Sequence, residues 1–358
     1  MKRLFFLALV SASLLVAGCD SDNEPPAEAS VRVMSQNVYL GGDLFTVVAE
    51  TDPQLVPVRV AQLYGTIQAS NPAERMAAIA AEIASIEPDL VGLQEISTYF
   101  TQSPADNLPG GAATAATDKT FDFLELLLDA LDAEGANYTV VSRSGNSDVE
   151  FPATADGVTF FDVRYQDADV ILAREGLTTS NPQETTFGSL LAVEIGGVEQ
   201  TFERAYQSVD VTLDGLTFTF INAHLEVGGQ ATIFQQAQGS ELAIEVAGTS
   251  GPLVLVGDFN SDAGGTTTAT YGILTDPSTG LVDAAGPGAG TPTCCQDAEI
   301  RNDASEHTTR IDLIFSRNGT ATAFDTILDE PADKTASGLW PSDHAGVWAD
   351  LTLRSEES

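Results

Sequence analysis

Apolar and polar residues alternate over positions 31–37, the period of a half-buried strand. After a long connection, Met76, Ile79, Ala80 and Ile83 recur at helical spacing. The predicted helix begins at Asn71-Pro72-Ala73-Glu74, with Asn71 as cap, Pro72 in the first position and Glu74 closing a capping box, and Pro88 stops it. Positions 89–94 then form a short buried strand, so the chain opens with an α/β alternation. Residues 99–120, rich in Gly, Ala, Pro and Thr, read as a surface loop, and 121–131 as an amphipathic helix. Strand-like runs follow at 138–142, 158–163, 169–173, 191–195, 207–213 and 216–222. A helical stretch covers about 231–247, and 253–256 is a wholly apolar strand. Between 262 and 310 periodicity is weak, and strands return at 311–315 and 346–353. No solenoid-type repeat occurs.

The N-terminus follows a different pattern. Lys2 and Arg3 precede an apolar run at 4–16, shorter than the roughly 20 residues a bilayer requires. Charged start, apolar middle and small-residue end describe a secretory signal. Leu15-Val16-Ala17-Gly18-Cys19 resembles a bacterial lipobox, which implies cleavage before Cys19 and lipidation of that residue. The expected organisation is a lipoprotein signal peptide at 1–18, a solvated tether at 19–30 and one domain at 31–355. Such a chain is extracytoplasmic and attached to a membrane through its N-terminal lipid.

Composition narrows the function. The 358 residues carry 52 Asp and Glu against 15 Lys and Arg, a formal charge of −37, and only three of the basic residues are Lys. A hydrophobic share of 43% with three Cys disfavours disorder and a disulfide scaffold. So negative a chain does not grip DNA or anionic lipid by bulk electrostatics, and any polyanion must be met locally. Lys poverty beside many carboxylates suits either a salty habitat or an acidic exported protein.

Against this background, apolar strands repeatedly end in residues that bind metals or move protons. Asn37, Glu95, Asn222 with His224, and Asp258 with Asn260 each follow such a strand; Ser342-Asp343-His344 precedes one, and Asp312 lies inside one. The mixture suits metal-assisted attack on phosphorus. Mg²⁺ takes oxygen ligands, here Glu95 with Asn37 nearby and Asp343 in reserve, and Mn²⁺ or Ca²⁺ are alternatives. Asp258 can accept a proton from water, an imidazole can stabilise charge or protonate a leaving oxygen, and Asp312 can orient His344.

In this order the pieces resemble the endonuclease/exonuclease/phosphatase superfamily, the DNase I-like metallophosphoesterases. The matching segments are Met34-Ser-Gln-Asn37-Val, Val91-Gly-Leu-Gln94-Glu95-Ile, Asp169-Val-Ile-Leu-Ala-Arg174, Asn222-Ala-His224-Leu, Val256-Gly-Asp258-Phe-Asn260, Arg310-Ile-Asp312-Leu-Ile and Ser342-Asp343-His344. The resemblance implies an α/β fold, a four-layer sandwich of two packed mixed sheets flanked by helices. It also implies roles: Glu95 as main Mg²⁺ ligand beside Asn37, Asp258 directing the attacking water with help from Asn260, and Asp343 on metal or phosphate. His344 paired with Asp312 would stabilise phosphoryl oxygens, and His224 would protonate the leaving oxygen. Asn37-Val-Tyr-Leu-Gly-Gly-Asp43-Leu and Thr293-Cys294-Cys295-Gln296 are similar to patterns of a secreted bacterial branch. Asp169 and Glu203-Arg204-Ala205 depart from the usual pattern.

Several residues keep two readings. Across a trans peptide, Cys294 and Cys295 would have Cα atoms about 3.8 Å apart, so a bond between them would be strained, and either a vicinal disulfide or two thiols is expected. Arg164, Arg174 and Arg204 could meet phosphate or pair with carboxylates. His307 reads as an ordinary loop residue. The expected partner is a phosphodiester substrate, nucleic acid or phospholipid, with no protein partner indicated. A lipid substrate would want exposed aromatics near the cleft, with Tyr99, Phe100 and Trp340 as candidates. A catalytically inactive surface binding protein is the alternative, though a binder has no need of the full acid, base and metal set.

Overall fold

Glu28–Asn37 is central to the first of two large sheets, pairing antiparallel with Gly346–Arg354 and parallel with Leu90–Gln94. The computed structural model describes residues 27–107, 113–288 and 290–356, so the expected signal peptide and Cys19 lie outside the described residues. From one edge to the other, the first sheet runs Gly319–Ile327, Gly346–Arg354, Glu28–Asn37, Leu90–Gln94, Val170–Arg174, Tyr138–Arg143. The second runs Val282–Asp283, Asp312–Arg317, Leu253–Asp258, Leu216–His224, Ala205–Leu213, Thr178–Thr186.

Side-chain alternation sorts the core into layers. Val33, Leu90 and Ile171 point from the first sheet onto Val209, Phe220, Val256 and Ile314 of the second, filling the space between them. On the outer face of the first sheet, Met34, Val91, Leu93 and Leu172 meet the helices Val56–Ala69, Pro72–Ile86 and Phe123–Glu134. Thr232–Gly248 covers the other side through Leu242 and Val246 against Leu253, Leu255 and Phe315. The result is the expected α/β/β/α sandwich. Among the described residues, no helix is long and apolar enough to cross a membrane.

The sheets approach closely at Gly92, beneath the site. A Cβ built there would lie 2.5 Å from Val256 Cγ2 and 2.6 Å from Asn222 Oδ1. Both neighbours are fully buried, so Gly92→Ala should destabilise the protein by about 1–3 kcal/mol through overpacking. Urea unfolding checks this, a lowered midpoint at constant slope being the expected result.

Local expectations fared unevenly. Pro72–Ile86 forms and ends before Pro88, but Asn71 sits at φ 48° and makes no side-chain cap; its amide donates instead to Glu74 Oε2 at 2.8 Å. The 99–120 loop contains two strands, Thr98–Gln102 and Asp118–Asp122. They join Phe161–Gln166 and Asp148–Ala153 in a four-stranded sheet. Their partners are distant in sequence and their polar faces give no alternation to read. Val56–Ala69, within the expected long connection, is also helical.

Candidate active site

Strand direction gathers the functional groups at one sheet edge. Glu28–Asn37 and Leu90–Gln94 are parallel, so Asn37 stands opposite Gln94 and Glu95 follows at the same end. In the second sheet, His224 is opposite Asp258 in a parallel pair, and Asp258 is opposite Asp312 in an antiparallel one. Ser342-Asp343-His344 arrives from the loop before Gly346–Arg354 at that same edge. The groups therefore share a cleft of about 300 Å³ lined by Glu95, His224, Asp258, Asn260, Asp343 and His344, among others. Asn37 is fully buried beneath it.

Asp258 is the hub. Its Oδ2 accepts from Asn37 Nδ2 at 3.1 Å and lies 3.6 Å from His224 Nε2 and 3.9 Å from His344 Nε2. Its Oδ1 accepts from the Asn260 backbone N–H at 2.9 Å, while the Asn260 amide donates to Leu225 O at 2.9 Å. The carboxylate is thus fixed by neutral donors on one side and faced by two imidazoles on the other.

The imidazoles differ in their support. His344 Nδ1 lies 2.9 Å from Asp312 Oδ2, and Nε2 lies 4.0 Å from Asp343 Oδ1. Burial opposes its charge, but Asp312, Asp343 and Asp258 outweigh that and raise its pKa well above 6.5. His224 is also buried. Burial and the Arg204 cation favour its neutral form, yet the Asp169 and Asp258 carboxylates prevail and raise its pKa. Asp169 Oδ1 is 3.5 Å from His224 Nδ1, and Arg204 Nη1 is 3.1 Å from the same nitrogen.

The carboxylates suit a hard divalent cation. Glu95 adopts φ 60° and accepts the Leu40 N–H on Oε2 at 2.7 Å, which fixes its head in the cleft. Asp343 Oδ1 is buried without a hydrogen-bond partner. Burial, opposed by His344 and reinforced by Glu95, pushes Asp343 up to about 7. An orphaned carboxylate oxygen and a second carboxylate lining the same cleft offer the oxygen donors that Mg²⁺ takes.

A second group of residues holds this arrangement in place, and of these Arg75, Asp167 and Glu226 were not singled out by sequence. Arg75 is fully buried and donates to Val38 O at 2.7 Å, Tyr39 O at 3.1 Å, Ser70 O at 3.1 Å and Pro341 O at 3.1 Å. It ties the chain after Asn37 to the chain before Asp343. Ser342 Oγ donates to Asn37 O at 2.6 Å. His307, expected to be an ordinary loop residue, lies with Nε2 3.2 Å from the Asp343 carbonyl. On the far wall, Arg204 is 3.7 Å from Asp167 and 3.8 Å from Glu226. Burial, then Asp169, pushes Asp167 up to about 6. The signals that could have found these residues were Asp167-Ala-Asp169 before a strand and Glu226 just after His224.

Other expected residues lie elsewhere. Arg174 is at the wrong end of its strand: Val170–Arg174 is antiparallel to Leu90–Gln94, so Asp169 meets the site and Arg174, five residues on, is roughly 16 Å away, paired with Asp89. Arg164 chelates Asp148 with contacts of 2.7 and 2.6 Å. Of the candidate aromatics, Tyr99 and Trp340 are core residues, 2% and 0% exposed, and Phe100 packs under the Arg164 guanidinium. Cys294 and Cys295 are joined as a vicinal disulfide across a cis rather than a trans peptide, with Cα atoms 3.0 Å apart. Cys295 Sγ lies 3.8 Å from His344 Nε2, on the cleft wall.

Similarity to known proteins agrees with this geometry. The sequence pattern of the Endonuclease/Exonuclease/phosphatase family matches residues 34–344. The fold is similar to that of humanized D. rerio TDP2 bearing 14 mutations, with 16% identity, TM-score 0.54, and coverage of 90% of this chain and 98% of that one. It is similar to an endonuclease/exonuclease/phosphatase family protein from Leptotrichia buccalis C-1013-b, with 18% identity, TM-score 0.54, and coverage of 90% and 99%. A family protein from Bacteroides thetaiotaomicron gives 16% identity, TM-score 0.53, and coverage of 92% and 97%. Comparison with curated proteins returned no match. Identities this low establish the fold alone, whereas the family pattern spans the segments from Met34 to His344 that build the cleft. The chain belongs to the endonuclease/exonuclease/phosphatase family, whose members are metal-dependent hydrolases of phosphodiester or phosphate ester bonds.

Proposed function

We propose that this protein is a lipid-anchored, extracytoplasmic phosphodiesterase that uses Mg²⁺ and hydrolyses phosphodiesters carrying an apolar group, of the phospholipid head-group kind. The observation that carries the substrate class is the composition of the cleft wall. Phe45, Leu191, Val193, Phe202 and Val227 face the acid–base set, and among the described residues lining the cleft Arg204 is the one Lys or Arg. Phe45 is 55% exposed, a large apolar surface at the rim. A nucleic-acid backbone would meet Asp43, Glu95, Glu226 and Asp343 with almost no cations to offset them. The lipobox-like Leu15-Val16-Ala17-Gly18-Cys19 supports the anchor and the compartment.

In this reading Asp258 Oδ2, held by Asn37, accepts a proton from the attacking water. The new P–O bond forms as the bond to the leaving oxygen breaks, and His224 Nε2 gives that oxygen its proton. His344 Nε2, oriented by Asp312, donates to a non-bridging phosphoryl oxygen. A divalent ion held by Glu95, Asn37 and Asp343 would supply Lewis-acid stabilisation of the developing charge.

The test compares sphingomyelin and phosphatidylcholine vesicles, plasmid DNA, RNA and bis-p-nitrophenyl phosphate with wild type and His224→Ala. Turnover of a phospholipid and of bis-p-nitrophenyl phosphate is expected. His224→Ala should cost about 10²-fold on the lipid, whose alkoxide leaves poorly, and much less on the nitrophenyl ester. Degradation of DNA with a steep salt dependence, and none of lipid, would overturn the substrate class. Membrane fractionation of Cys19→Ala tests the anchor, release into the soluble fraction being expected.

A further inference from the structure

Three carboxylates outside the catalytic cleft form a second centre. Asp106 lies on the connection between Thr98–Gln102 and Asp118–Asp122, Glu150 on Asp148–Ala153 and Asp162 on Phe161–Gln166. One oxygen of each lies within 4.8 Å of the others. Asp162 pairs with Pro152 across the sheet, so Glu150 and Asp162 are diagonal neighbours on one face, close enough for a shared ligand.

The backbone already engages part of this set and leaves the rest unpaired. Asp162 Oδ2 accepts the N–H groups of Asp106 and Asn107 at 2.8 and 3.2 Å, and Glu150 Oε2 accepts the Ala116 N–H at 2.8 Å. Asp106 accepts the Thr114 hydroxyl on Oδ2 at 2.6 Å and the Thr114 N–H on both oxygens at 3.2 Å. Asp162 is fully buried, yet its Oδ1 has no partner, and neither has the buried Glu150 Oε1. Two carboxylate oxygens in one cluster are thus buried with no donor of their own, although the other oxygen of each is bonded to the backbone. The nearby Arg164 does not supply one, because its Nε and Nη2 are committed to Asp148 and its Nη1 to Ala116 O at 3.4 Å.

We propose that Asp106, Glu150 and Asp162 form a structural Ca²⁺ site that fastens the chain at Asp106 to the strands Asp148–Ala153 and Phe161–Gln166 of the four-stranded sheet. Three carboxylates from separate segments, two of them with one oxygen unpaired and the third, Asp106, shared with Thr114, give an irregular oxygen cage. Ca²⁺ accepts such a cage, completing six to eight ligands with waters and carbonyls at about 2.3–2.6 Å, whereas Mg²⁺ demands an octahedron and keeps its own water. None of the three lines the catalytic cleft, so the site is independent of the metal used in hydrolysis. Its place in the fold gives it a structural role: Thr98–Gln102 follows Glu95 within three residues, and Tyr99 holds the Leu40 carbonyl at 2.8 Å.

Thermal unfolding of the full chain after EDTA treatment and dialysis tests the proposal, with 10 mM CaCl₂, 10 mM MgCl₂ or NaCl of matched ionic strength. Ca²⁺ should raise the Tm of wild type by at least about 2 °C beyond the other two salts. Glu95→Gln should keep that increment, which separates this centre from the catalytic one. Asp162→Asn and Glu150→Gln, whose amide oxygens can still accept the backbone N–H groups, should lose it. Equilibrium dialysis with radioactive calcium gives a second readout, at least one ion held by Glu95→Gln and one fewer by Glu150→Gln in that background. Equal Tm shifts with all three salts, or calcium retention unchanged by Glu150→Gln, would overturn the site.

Discussion

Glu95→Gln should lower Mg²⁺-supported turnover by about 10³-fold, and EDTA should do the same to wild type until Mg²⁺ is restored. The substitution isolates charge from architecture. Glu95 sits at φ 60°, with Oε2 bound to the Leu40 N–H, and a glutamine oxygen can accept that bond unchanged. What disappears is a formal negative charge facing the orphaned Asp343 Oδ1 across the cleft. Lewis-acid stabilisation of the transition state is worth several kcal/mol, and about 4 kcal/mol corresponds to three decades of rate. Far-UV circular dichroism and the unfolding midpoint should match wild type, while titration with Mg²⁺ should show weakened saturation. A variant that retains wild-type activity in the same Mg²⁺ range would remove Glu95 from the metal set.

The legibility of this site in sequence follows from where each residue stands. Asn37, Glu95, His224 and Asp258 each interrupt an apolar strand at its exit, where a buried run must give way to something polar, so their positions were readable without the fold. Arg174 shows the limit of that reasoning. It too ends a strand, but direction decides which end faces the site, and direction depends on pairing with Leu90–Gln94, which local sequence does not encode. Arg75 was illegible for another reason. Its chemistry consists of bonds to carbonyls of Val38, Tyr39, Ser70 and Pro341, and a carbonyl carries no residue signature. Thr178–Thr186 was missed because it is an edge strand that exposes nearly every side chain, leaving no period of two. The layers of the sandwich were legible through the resemblance, while the four-stranded sheet arose from pairings between segments far apart in sequence.

Asp312→Asn should lower kcat at pH 7.5 by about 10²–10³-fold and move the alkaline limb of the pH profile to lower pH. The pKa of His344 is raised above 6.5 because Asp312, Asp343 and Asp258 outweigh the burial that opposes its charge. A cation held by Glu95 and Asp343 would offset the share supplied by Asp343, and Asp312, at 2.9 Å, would then be the principal support. An asparagine oxygen still accepts from Nδ1, so orientation survives while the charge is lost, and the imidazolium becomes harder to form. Activity that requires His344 as a donor should then fall as pH rises through a lowered pKa, and part of it should return near pH 6. Stability follows the same sign. A folded-state pKa raised above 6.5 contributes stability that is complete below 6.5 and is lost as pH rises through the folded value. Wild type should therefore lose Tm on the alkaline side more steeply than Asp312→Asn, whose His344 contributes less of this linkage. Asp312 itself has a raised pKa from burial, countered by His344, so the two groups titrate as a pair and the Tm comparison reads their joint change. A variant with reduced kcat but an unshifted alkaline limb would show that Asp312 acts only in positioning, and that the His344 charge is set by Asp258 and Asp343.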